Sequence, residues 1–138
     1  MSITLSNLPW LGIALAFVLT SLLGAAWFTA LFRKPYLRTL GRPVDEPQSK
    51  DPIYFVGPMV CNFLVILTTA ILMDALGITT YGAALTFALV VGFGYLVTNT
   101  MNIAINPNMP RPIPYGILSG VYHLIAMMLV CLVLVAMR

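Results

Sequence analysis

Charge is scarce in this sequence. Four acids and seven bases among 138 residues leave 8% charged positions against 60% hydrophobic ones, a balance that places the chain among membrane proteins. Carboxylates are too few for paired acid–base chemistry: Asp45, Glu46 and Asp51 share one loop, and Asp74 stands alone. With a single histidine, His123, and two cysteines, Cys61 and Cys131, neither a metal-ligand spacing nor a CxxC motif can be assembled. Phosphate-cradling glycine loops and HExxH are missing too. The sequence therefore calls for no metal and no cofactor, and it does not point to an enzyme. The two cysteines fall roughly 12 and 27 Å from the first-loop side at 1.5 Å per residue, too far apart in depth to bridge. They read as packing thiols.

What remains is apolar. Four runs, 8–32, 53–76, 81–105 and 113–137, are each about 24 or 25 residues long, enough to cross a bilayer core. They predict an all-α fold: one transmembrane domain over 1–138, an antiparallel bundle of four helices. They leave no room for a soluble domain. The first run lacks a basic leading segment and is too long for a signal peptide, so it reads as a retained helix. Residues 1–4 are uncharged and easy to translocate. Basic residues gather in the first loop, as Arg33, Lys34, Arg38, Arg42 and Lys50, and Arg111 stands in the third. Both loops lie on one side, which the positive-inside rule makes cytoplasmic, with both termini outside. Arg33, Lys34, Arg38 and Arg42 are expected to meet anionic lipid headgroups. Three acids share their loop, so nucleic acid is not an expected partner. At the outer side, Asp74 is expected to be hydrated and Arg138 to anchor the end of the chain.

Helical spacing then assigns faces. Gly12, Ala16, Thr20 and Gly24 recur every four residues, a small-residue stripe that admits a close neighbour. Trp27 continues that face, as a packing residue or a ligand contact. Pro35 suits the first turn of a short helix whose Tyr36, Leu37 and Leu40 would lie on the headgroups. On the second helix, Asn62 shares a face with Phe55 and Thr69 and points inward. The turn around Gly77 makes the second and third helices neighbours. The third helix lines up Ala88, Gly92, Tyr95, Asn99, Asn102 and Asn106, a face that must meet protein or water and not lipid. The last helix carries Gly116, Gly120 and His123. The two hairpins resemble each other faintly: Gly24-Ala25-Ala26-Trp27 matches Gly92-Phe93-Gly94-Tyr95, and Pro52-Ile53-Tyr54-Phe55 matches Pro112-Ile113-Pro114-Tyr115.

Depth arithmetic gathers Thr20, Asn62, Tyr95, Asn99 and His123 roughly 9 to 18 Å from the first-loop side. Two readings follow. In one, these residues, with Trp27 and Asn102, line a polar pocket in which His123 accepts a proton or touches a ligand. In the other, His123 is a neutral packing residue hydrogen-bonded to an asparagine or a tyrosine. The first reading predicts a small-molecule or proton-linked transport or binding protein, working as a homo-oligomer because four helices make a thin-walled path. The alternative is a structural or accessory subunit of a larger membrane complex.

Gly24-Ala25-Ala26-Trp27-Phe28, followed by Phe32-Arg33-Lys34-Pro35-Tyr36-Leu37-Arg38, resembles the first-helix signature of a bacterial membrane family, domain of unknown function number 1761. Tyr122-His123-Leu124 resembles that family's aromatic-histidine-leucine motif, with Arg111 matching an arginine in the third loop. Arg33 and Val121 stand where the family usually has glycine. The resemblance covers nearly the whole chain. It implies a four-helix multi-pass protein of the bacterial inner membrane, and it marks Trp27, Lys34 and His123 as positions of interest. It brings no activity with it.

Overall fold

The computed structural model describes residues 8–138, so the expectation for residues 1–4 lies outside the described residues. Every described element is a helix. In chain order these are α1 (Trp10–Leu31), α2 (Arg33–Thr39), α3 (Ile53–Ala75), α4 (Tyr81–Ala104) and α5 (Pro112–Ala136). All but α2 are long and apolar enough to cross a membrane, and they fall on the four apolar runs.

Local chemistry sets the breaks. Gly41 and Gly77 take φ values of +68° and +65°, the left-handed geometry that lets a helix end sharply. After each, an amide reaches back one turn: Arg42 N–H to the Leu37 carbonyl at 3.0 Å, and Ile78 N–H to the Met73 carbonyl at 2.9 Å. Thr80 then starts α4 by accepting a hydrogen bond from Ala83 N–H at 3.3 Å. Pro112 occupies the first turn of α5, where its missing N–H costs nothing.

Small residues fix how the helices meet, and α5 is the hub. Along α4, a Cβ placed on Gly120 would sit 3.1 Å from Val97, and one on Gly92 would sit 2.9 Å from Leu124. Gly116 is likewise pressed against Met101. The order 101–116, 97–120, 92–124 is that of an antiparallel pair. Against α1, Gly12 meets Met137 and Gly24 meets Tyr122, again antiparallel. The stripe read from Gly12, Ala16, Thr20 and Gly24 thus faces protein: the first three are buried, and Gly24 receives the Tyr122 hydroxyl. Helix α3 packs on α1. Although a tight turn joins α3 to α4, the two chiefly share α5 as a neighbour, with a cleft of about 260 Å³ between Leu64, Thr68, Val91 and Leu96. The expected direct pairing of the second and third helices is corrected to that extent.

Two wide turns interrupt the α-helical rhythm. One, at Trp27–Leu31, closes α1, with Phe32 N–H reaching the Trp27 carbonyl at 2.9 Å. The other, at Gly92–Val97, sits in mid-α4. A π-turn adds a residue to one turn and rotates everything beyond it by about 100°. Before it, Ala84, Ala88 and Gly92 are buried in α-helical step. After it, the inward positions are Leu96 and Val97, then Thr100 and Met101, then Ala104. Tyr95, Asn99 and Asn102, which regular spacing puts inside, are therefore on the outside of the bundle, and Tyr95 is 71% exposed.

Candidate functional site

The face of α5 that turns into the bundle is unusually small and polar at the end nearer the basic loops. Gly116, Ser119 and Gly120 are buried there, and His123 follows one turn on, half-buried. Small side chains let α1 and α4 approach closely. They also leave the polar atoms between those helices with few partners to choose from.

Aromatic rings close this end. Tyr122 lies 6.1 Å from Trp27 and 5.1 Å from Phe28, centroid to centroid. Trp27 meets Phe32 at 4.3 Å with the rings tilted by 42°, and Phe28 meets Tyr36 at 4.9 Å edge-on. Tyr36 continues the cluster to Tyr115 at 6.0 Å. The cluster draws α1, α2 and α5 together. It also corrects the expectation for α2: Leu37 is buried and Tyr36 half-buried against the bundle, not laid on headgroups. Burial, and next the neighbouring Tyr115 phenol, raise the pKa of Tyr36 above 10.0.

At this end of the bundle Trp27 Nε1 and Ser119 Oγ are buried without a hydrogen-bond partner among the described residues. Their residues are only 8% and 4% exposed. Native interiors rarely leave such atoms unpaired, because each forfeits its water without compensation. Trp27 Nε1 can only donate, whereas Ser119 Oγ can donate and accept. His123 also has no hydrogen bond among the described residues. Its ring lies 5.1 Å from that of Tyr122, beside it in sequence.

The remaining expected site residues divide. Thr20 and Asn62 do meet: Asn62 Nδ2 donates to Thr20 Oγ1 at 2.9 Å, while the Thr20 hydroxyl donates to the Ala16 carbonyl at 2.7 Å. Tyr95, Asn99 and Asn102 do not join them. Ser119 and Tyr122 are the members that sequence spacing missed. The available signal was that Tyr115, Ser119 and Tyr122 share one face of the last helix at steps of four and three.

In the basic loop the charges are partly spent on the chain itself. The Arg33 guanidinium donates to the Val44 carbonyl at 3.4 Å and to the Glu46 carbonyl. Arg42 grips the Glu46 carboxylate with Nε at 2.8 Å and Nη2 at 2.6 Å, and that hydrogen bond and charge raise its pKa. Lys34, Arg38 and Lys50 are the exposed ones left free of such contacts among the described residues. At the opposite end Asp74 meets Arg138 Nη2 at 3.5 Å, and both side chains stay partly exposed. Cys61 is exposed and Cys131 buried, both as free thiols.

Among known proteins, the family model described as Protein of unknown function (DUF1761) matches residues 11–135. No curated protein and no solved structure matches the chain.

Proposed function

This chain belongs to the DUF1761 family, and we propose that it is a multi-pass membrane protein that binds or conducts a small polar species, a proton included, inside its bundle. The observation that carries the reading is the pair of buried, unpartnered atoms, Trp27 Nε1 and Ser119 Oγ. A guest with a hydrogen-bond acceptor would satisfy the indole N–H, and Ser119 adapts to either polarity. His123, one turn beyond Ser119, supplies the titratable group that a proton-linked step needs. The basic loops nearby would form the cytoplasmic mouth, with Lys34 and Arg38 toward anionic lipid. As the second reading, a structural or accessory subunit, the chain would offer a membrane partner the outward polar face of α4.

The single histidine makes the test direct. Chain labelled with ¹⁵N-histidine and reconstituted in lipid bilayers gives ring signals from His123 alone. They are expected to titrate with the aqueous buffer and to shift in Ser119→Ala. In proteoliposomes carrying a pH-sensitive dye, His123→Phe is expected to abolish proton flux while leaving thermal stability nearly unchanged. A ring that neither titrates nor exchanges, with flux and stability falling together, would reduce His123 to a packing residue.

A further inference from the structure

We infer that the outer face of α4 is the seat of a second copy of this chain, docked about a twofold axis along the membrane normal. Within and past the wide turn, Tyr95, Asn99 and Asn102 all point away from the bundle. Asn62 finds Thr20 within the chain, but Asn99 and Asn102 have no side-chain partner among the described residues. Tyr95 and Asn99 lie roughly 14 and 8 Å inside the end of the span at 1.5 Å per residue. Lipid tails there offer nothing to a phenol or an amide, so the face requires protein or water against it.

The character of the face selects the occupant. A carboxamide donates and accepts through adjacent atoms, so it is complementary to another copy of itself. An isologous interface brings like to like in this way, and no charge or second sequence is needed. Shape agrees. Tyr95 and Asn99, one turn apart, form a ridge. Beside it runs a groove of about 580 Å³ between α4 and α5, lined by Phe93, Val97, Met101, Asn102, Ile117 and Val121, so an amide on the ridge of a docked copy finds an amide within the groove. A twofold operation carries the ridge of one copy toward the groove of the other, the ridges-into-grooves arrangement by which helices pack. Gly94, at the top of the face, has open space where a Cβ would stand, so the facing backbone can come close.

The chain's own thiols provide the control. Cys61, exposed on α3, lies on a different helix from the proposed seat, and Cys131 is buried. Full-length protein in native membranes would be oxidised mildly as wild type, as Cys61→Ala, and as Cys61→Ala with Asn99→Cys. Disulfide-linked dimer is expected only in the last. In parallel, fluorescently labelled chain in phosphatidylcholine and phosphatidylglycerol vesicles would be counted by stepwise photobleaching over a dilution series. Wild type is expected as a dimer, and the triple variant Tyr95→Leu, Asn99→Leu, Asn102→Leu to dissociate at concentrations about tenfold or more higher, from the summed loss of several intramembrane hydrogen bonds. These positions lie outside the bundle, so the variant chain should fold. A monomeric wild type, including one that retains a tightly bound lipid in the groove, would overturn the inference. So would a dimer whose dissociation is unchanged in the triple variant, or linkage through Cys61 in place of position 99.

Discussion

Asn62 Nδ2 donates to Thr20 Oγ1 at 2.9 Å and ties α3 to α1 in mid-bundle. The hydroxyl spends its own proton on the Ala16 carbonyl at 2.7 Å, leaving its lone pair for the amide. Intramembrane hydrogen bonds of this kind contribute about 0.6 kcal/mol on average and at most about 1.7. A double-mutant cycle with Thr20→Val and Asn62→Leu, followed by unfolding in bilayer-like micelles, is expected to return a coupling in that range. A coupling near zero would mean the pair only fills space.

Gly24 is held against the Tyr122 hydroxyl, which would lie 2.8 Å from an added Cβ. The phenol is the free end of a side chain and can yield a little. Gly24→Ala is expected to be nearly neutral, whereas Gly24→Leu should drive the ring into Trp27 and Phe28 and cost about 1–3 kcal/mol, as overpacking does. Gly82, with nothing near its added Cβ, is the comparison: Gly82→Leu should stay within about 0.5 kcal/mol.

Tyr36 gives a pH signature outside the membrane segments. Burial raises its pKa above the unfolded value of 10.0, so the folded state keeps the proton longer than the unfolded state does. The stability it contributes is complete below pH 10 and is lost as pH rises through the folded pKa. Thermal unfolding measured from pH 8 upward is expected to show an alkaline fall above pH 10 that shrinks in Tyr36→Phe.

Arg138 and Asp74 join the C-terminal residue to the end of α3 farther from the basic loops at 3.5 Å. Partly exposed pairs of this sort are worth less than about 1 kcal/mol and are screened by salt. Asp74→Asn should lower stability slightly at low ionic strength and not at all in molar salt, read from unfolding midpoints at both.

The four spans were legible because their length and apolarity leave no alternative fold, and the turns because Gly77, Thr80 and Pro112 announce them. The stripe from Gly12 to Gly24 was legible for the same reason: α1 keeps regular α-helical step down to Trp27. The candidate site was legible only in part. Thr20 and Asn62 lie on regular helix, so spacing brings them together correctly. Tyr95, Asn99 and Asn102 lie in or beyond a π-turn that no residue pattern advertises, and spacing across it assigns the wrong face. The Tyr122 cluster was obscured differently, because its rings come from three helices separated in sequence and each ring alone looks like an interfacial anchor.

That wide turn in α4 also bears on how the gene can vary. A π-turn is structurally an α-helix carrying one supernumerary residue. Losing a single codon between positions 92 and 97 would therefore leave α4 helical and hydrophobic while turning its remaining half by about 100°. Asn99 and Asn102 would be carried toward the interior, and Val97 and Met101 away from α5. One codon separates an α4 whose amides face outward from one whose amides face into the bundle.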